Sequence, residues 1–343
     1  MTVNVPVLLV GSLLLAGPQE VFIAAADLLR DHLTRMPDGE TGSRSTWIHW
    51  QHDVFARLPE LEPTAAKERE YQAFAPHRLR SGSRGDTIAF GALGFRDEAE
   101  KSYAIFSALK HAGRIPAHMR FQLCLPTPFA PTYAFVAYES QEAVYPAYEA
   151  ALLRELAAIA AFIPAHELAV QWDVATEMSI WEELYPATFP DPKNEIIARL
   201  ARLGRAVPQG AELAYHLCYG SMNNRHWKEP EDTRKLVEVA NRLCAAVPRA
   251  IDWMHLPVPI ARDDARYFAP LADLDRRRCG ELFLGLLHLD DGIEGARRRA
   301  NAARAFTPRF GISAECGLGR RPPDSAGAWL ALHRDAALAL GSE

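Results

Sequence analysis

ELAYHLC (Glu212–Cys218), DTRKLVEVANRLCAA (Asp232–Ala246) and AIDWMH (Ala250–His255) follow one another in this chain. They read as strand, helix and strand. The middle run is apolar at helical spacing, and Asp232, two residues after Pro230, is a plausible helix start. Cys244 falls on the apolar side of that helix and reads as core packing. A strand–helix–strand unit argues for parallel strands joined by a crossover. The alternation extends both ways. The strand candidates are Val5–Val10, Thr34–Pro37, Phe121–Leu125, Leu168–Asp173, Glu212–Cys218, Ala250–His255, Leu282–His288 and Gly311–Glu315. Tyr148–Phe162 repeats the helical pattern between two of them. Eight such units predict an α/β fold, a closed (β/α)8 or TIM barrel. A doubly wound open sheet is the alternative. It loses support because no G-x-G-x-x-G follows the first strand and no G-x-x-x-x-G-K-[ST] occurs anywhere.

Several candidate strands end in or just before a polar residue: Asp38, Asp173, His216, Cys218, His255, His288 and Cys316. In a barrel of this kind, chemistry sits at the C-terminal strand ends. After the second strand, Pro37–Gly42 is a polar turn leading into Arg44 and Trp47. The region from Gln51 to Ile115 is long and largely polar. It reads as an elaborated loop, so residues 45–115 are expected to be an inserted or capping segment within one domain spanning 1–343.

Composition narrows the class. Hydrophobic residues make up 49% and charged residues 24% of 343, and the net charge is −5. Nothing points to a nucleic-acid partner. The runs Arg276–Arg278 and Arg297–Arg299 have acidic neighbours and read as solvated helix faces. Five widely spaced cysteines do not look like a disulfide framework, which favours a reducing compartment and a cytoplasmic location. The opening VPVLLVGSLLLAG has no Lys or Arg before it and no small-x-small cleavage site. It is too short to span a membrane, and reads as a buried strand entering a Gly-Ser turn. No signal bears on oligomeric state.

His-x-Cys on a strand places both side chains on one face, because strand side chains alternate. His216 and Cys218, joined by Cys316 from a later strand, would make most of a zinc site. His255, Asp252 or water are the candidates for a fourth ligand. The competing reading is that His216 and Cys218 are satisfied core residues, since cysteine is often buried. Gly11-Ser12 offers a grip on a carboxylate, or an ordinary tight turn. Arg44, Arg320 and Arg321 are candidate anion binders. His226 is a candidate acid or base, or a plain loop residue.

At His216-Leu217-Cys218-Tyr219 and Cys316-Gly317-Leu318 the chain resembles the superfamily that joins cobalamin-independent methionine synthase with uroporphyrinogen decarboxylase. The resemblance implies a zinc barrel with His216, Cys218 and Cys316 as ligands. It implies Gly11 and Ser12 at an amino-acid substrate and Asp173 near it. The family's carboxylate ligand matches the strand end that holds His255, so His255 is expected in its place as the fourth ligand. Its proton-donating His falls near His288 and Asp290. The reaction expected from the resemblance is transferase or lyase chemistry at a carbon–sulfur bond, with Zn2+ activating a small thiol. A thiol or a carboxylate is the expected small-molecule partner. Two alternatives stand beside it. One is a metal-free lyase of the decarboxylase type, with Asp38 and Arg44 at the substrate. The other is a hydrolase that uses zinc-bound hydroxide, with Asp173 or His288 as base.

Overall fold

The computed structural model describes residues 4–68, 72–220 and 225–342. Among them, β1 (Arg35–Pro37) opens the main sheet. β2 (Leu61–Pro63) and β3 (His77–Leu79) pair antiparallel as a separate ribbon. β4 (Arg120–Pro126), β5 (Leu168–Val174), β6 (Glu212–Leu217), β7 (Ile251–Pro257), β8 (Cys279–Leu287) and β9 (Gly311–Ala314) continue the main sheet. That sheet has seven strands, all parallel and in chain order. The helices are α1 (Pro18–Leu29), α2 (His52–Ala56), α3 (Phe95–His111), α4 (Phe129–Phe135), α5 (Gln141–Phe162), α6 (Thr176–Trp181), α7 (Pro192–Ala206), α8 (Arg234–Ala246), α9 (Ala265–Phe268), α10 (Gly292–Arg304) and α11 (Ala326–Gly341).

The sheet curls far enough that both edges reach the N-terminal segment. Val7 bridges Ile312 of β9, and Ser12 bridges Gly39 just after β1. These are isolated bridges, so the ladder does not close. The curled sheet is compatible with a TIM-like barrel, but the expected eighth strand, Val5–Val10, is missing from it. Two features explain this. Pro6 has no amide to donate. The carbonyls of Leu9 and Val10 accept from the side-chain amides of Gln122 and Gln171, at 3.0 and 2.7 Å. The segment keeps backbone bonds to Ile312 of β9 through Pro6 and Leu8, and side chains take its carbonyls at Leu9 and Val10.

Strand alternation sorts the sheet into two faces. In β6, Leu213, Tyr215 and Leu217 face outward onto the helices. The Tyr215 hydroxyl donates to the Leu200 carbonyl of α7 at 2.9 Å. A Cβ on Gly204 of that helix would meet the Tyr215 hydroxyl at 2.4 Å, so only glycine allows this approach. Ala214 and His216 face inward. Ala214 packs with Leu8, Ala169, Trp253 and Phe283 in an interior cluster at the lower level. One level higher, register places Asp173 beside His216 and His216 beside His255. Three adjacent strands thus deliver an acid and two imidazoles to one layer at their C-terminal ends.

The structure adds a pairing to the cysteine reading. Cys244 of α8 and Cys279 of β8 form a disulfide, so Cys244 is more than core packing. This also removes the cysteine argument for a reducing compartment. The Arg297–Arg299 run is only partly a solvated face. Arg299 is fully buried and bidentate to Asp291, at 2.7 and 2.8 Å. No helix among the described residues is long and apolar enough to cross a membrane.

Candidate metal centre

His216, Cys218 and Cys316 converge, with their ligand atoms all within 4.8 Å of one another. The two sulfurs are 3.4 Å apart, and Cys316 Sγ lies 3.8 Å from His216 Nε2. Tetrahedral zinc would separate two thiolates by roughly 3.8 Å and a thiolate from an imidazole nitrogen by roughly 3.6 Å. The donors therefore fit a zinc ion with little adjustment.

The orientation of His216 is set from behind. Its Nδ1 lies 2.6 Å from Nδ1 of His255, whose Nε2 lies 3.1 Å from the Ala314 carbonyl. A carbonyl only accepts, so His255 carries its proton on Nε2. Burial, reinforced by His216, holds the His255 pKa well below the ordinary range, so this imidazole is neutral. Its Nδ1 is then an acceptor, and His216 must donate from Nδ1. That leaves His216 Nε2 facing the sulfurs as the atom a metal ion would take. His255, expected as a fourth ligand, has both nitrogens engaged away from the cluster. Asp252 is further removed, accepting from the Leu213 amide at 2.8 Å.

The sulfurs differ in acidity. A hydrogen bond from Cys218, then those from His216 and its charge, hold the Cys316 thiol far below the usual value against the effect of burial. The hydrogen bond to Cys316 pushes Cys218 up. Burial alone would lower His216, but the hydrogen bond to Cys316 and the charges of Cys316 and Asp173 raise it. These shifts favour proton loss from Cys316 and proton retention on Cys218 and His216. Metal binding would displace protons from both.

The cluster forms one wall of an open cavity with about 1200 Å³ of empty space, its mouth included. Gly11, Ser12, Glu40, Trp47, Asp173, Trp227 and Arg320 also line it. Asp173 is raised to about 6 by burial, with the charge of His216 and then hydrogen bonds from Gln171 and Trp47 opposing the rise. Burial and the charge of Asp173 also push Glu40 well up. Two neighbouring buried carboxyls at a cavity wall suit a ligand cation such as an ammonium. Glu40 and Trp47 both have positive φ, 46° and 58°. This is a costly conformation for non-glycine residues that marks functional loops. Glu40 was missed in the sequence because Asp-Gly-Glu-Thr-Gly reads as turn chemistry.

Other expected site residues are placed as follows. Ser12 Oγ accepts from the Gly319 amide at 3.0 Å, and its carbonyl accepts from Leu318 at 2.8 Å. The Gly-Ser turn therefore steadies the loop that carries Cys316, as well as lining the cavity. Asp38 and Arg44 do not line the cavity. They bind each other at 2.7 Å, and Asp38 also accepts from Ser102 and from the Glu40 amide. That pairing withdraws both from the metal-free lyase reading. His288 is buried, with Nε2 2.9 Å from the Val258 carbonyl, and burial lowers it to about 4. Asp290 is exposed. Neither lines the cavity. His226 lies between Glu229 and Glu315, at 3.3 and 3.5 Å, and Arg321 lies 3.4 Å from Glu315.

Glu177 of α6 is buried beside the cavity floor, and its Oε2 has no hydrogen-bond partner. Burial moves its carboxyl from 4.5 to about 7. A raised carboxyl takes up a proton on folding, so its contribution is complete below 4.5 and is lost as pH climbs through 7. Glu177→Gln is expected to leave stability unchanged near pH 4.5 and to raise it by about 3 kcal/mol at pH 8. Urea unfolding at the two pH values measures the difference. Equal gains at both would contradict the assignment.

No protein-family model matches the chain, and no curated relative matches it. Among solved structures, it is similar to a B12-independent methionine synthase from Shewanella sp. W3-18-1, in complex with selenomethionine. The TM-score is 0.60 with 16% identity, over 99% of this chain and 96% of that one. At that identity the likeness is one of fold.

Proposed function

We propose that this protein is a zinc-dependent enzyme that makes or breaks a carbon–sulfur bond, acting on a small thiol. The observation that carries the reading is the convergence of one imidazole and two thiols, distant in sequence, at the wall of a cavity. His216 Nε2, Cys218 Sγ and Cys316 Sγ would hold the ion. Three protein donors leave a fourth position for substrate, the pattern of catalytic rather than structural sites. Zinc held there would lower the pKa of a substrate thiol and keep it ionised. With two thiolates and a neutral imidazole, the metal site has a net charge near zero, which favours addition of an anionic sulfur.

The chain's own groups supply the rest. His255 fixes the tautomer of His216. Asp173 and Glu40 face the cavity as an acidic pair that would hold a substrate ammonium, and Arg320 beside them would hold a carboxylate. The set is complementary to an amino-acid thiol. The shared fold with a B12-independent methionine synthase in complex with selenomethionine supports this class. X-ray absorption at the zinc edge tests it: added thiol should bring a new sulfur scatterer at about 2.3 Å. An unchanged shell would overturn it.

His255→Phe removes the acceptor for His216 Nδ1 while retaining a ring. Zinc affinity is expected to fall roughly 10- to 100-fold. Competition with a chromophoric chelator measures it, and unchanged affinity would refute the positioning role.

A further inference from the structure

The end of β9 is held by two histidines. Ile312 donates its amide to the Pro6 carbonyl at 2.9 Å and accepts from the Leu8 amide at 3.0 Å. That edge of β9 therefore faces the N-terminal segment. Strand alternation gives the Ala314 amide and carbonyl the same edge, where a closing strand would pair them. Two imidazoles take them instead. The Ala314 amide donates to Nε2 of His333 at 3.2 Å, and the Ala314 carbonyl accepts from Nε2 of His255 at 3.1 Å. His333 lies buried in α11. Its Nδ1 is 2.7 Å from the Trp329 carbonyl, one helical turn earlier. A carbonyl only accepts, so the His333 proton sits on Nδ1 and Nε2 is a bare acceptor. Burial lowers its pKa to about 4, which keeps the ring neutral and the acceptor intact. The chain just beyond is packed as closely from β8. A Cβ on Gly285 would meet Cα of Glu315 at 2.6 Å, and Cys316 follows directly.

We propose that His333 of α11 is a positioning residue for the metal centre. By accepting the Ala314 amide it fixes the end of β9, and with it the carbonyl that orients His255 and the point from which Cys316 reaches the cluster. This rests on the zinc reading above and extends it to a helix outside the sheet. The order of support runs inward: His333 holds Ala314, Ala314 sets the tautomer of His255, and His255 sets that of His216. Without the His333 acceptor a buried amide would be left unpaired, and the strand end would have to shift to satisfy it. The cluster leaves little room for a shift. The Cys316 sulfur stands 3.4 Å from Cys218 and 3.8 Å from His216 Nε2, close to the separations a tetrahedral ion sets.

The test compares wild type with His333→Leu and His333→Phe, which remove the acceptor, and with His333→Gln, whose amide oxygen takes the place of Nε2. Leu330→Ala is the packing control, since Leu330 is buried on the same helix. Zinc affinity by chelator competition and melting temperature are recorded for each, and the ring tautomers of wild type by nitrogen NMR. The acceptor-free variants are expected to bind zinc at least about tenfold more weakly. His333→Gln should recover most of that loss. Leu330→Ala should melt lower and keep zinc affinity within about twofold of wild type. Undiminished affinity in either acceptor-free variant that folds overturns the proposal. So does an equal loss in Leu330→Ala, no recovery in His333→Gln, or a wild-type His333 that carries its proton on Nε2, a result that needs no variant to fold. In each of these cases zinc uptake by wild type shows that the metal reading stands. Wild type that takes up no zinc refutes the metal reading, and this role for His333 with it.

Discussion

Cys316→Ser is expected to leave the protein with less than about 0.1 equivalent of zinc, where the wild type carries about one. The cause is charge as much as geometry. Cys316 is the more acidic of the two sulfurs, its pKa held well down by donation from Cys218 and then from His216. A serine hydroxyl stays neutral at that position and is a poor zinc donor. The remaining imidazole and thiol cannot close a site, and the metal's charge would be left half compensated in a buried corner. Cys124→Ser is the matched control. Cys124 lies inside the curled sheet, 3.4 Å from the Val10 carbonyl and outside the cluster, and its loss should leave zinc content unchanged. Elemental analysis of the three proteins decides the matter. Stoichiometric zinc in Cys316→Ser would refute the site.

Asp38→Ala is expected to cost about 3–5 kcal/mol of folding stability, the cost of stranding a buried charge. Arg44 is mostly buried, with its guanidinium on the Asp38 carboxylate. Burial would raise the Asp38 pKa, but the Arg44 charge and hydrogen bonds from Arg44, Glu40 and Ser102 hold it low. Removing the carboxylate leaves the arginine with Glu40 and with Glu98, at 3.6 Å, as acidic neighbours that do not replace its bidentate partner. It also frees the Glu40 amide, whose bond to Asp38 steadies a left-handed residue in the cavity wall. Asp38→Ala/Arg44→Met, with both charges gone, should recover most of the loss. Urea denaturation gives the cycle. Additive losses would show that the pair is not the anchor of this loop.

Much of the fold was legible because it depends on local signals. Strand and helix periods in Glu212–His255 and Gly311–Glu315 survive into β6, α8, β7 and β9, since apolar runs of those lengths have few alternatives once buried. The N-terminal segment was misread as a ladder strand. Its apolar run is strand-like, but Gln122 and Gln171, more than a hundred residues away, take its carbonyls. The Cys244–Cys279 bond was likewise invisible, because spacing in sequence says nothing about which helix face meets which strand.

At the candidate site, the sequence by itself determined that His216 and Cys218 share a face, because alternation along a strand is a local rule. Tertiary structure decided the rest. Strand register put His255 behind His216 rather than beside the sulfurs. Loop packing turned Asp38 toward Arg44 and Glu40 toward the cavity. The inward face of a curled sheet brought Cys316 within 3.4 Å of Cys218 across 98 residues of chain. Which groups meet across such distances depends on how strands align and loops pack, and no period in the chain encodes it.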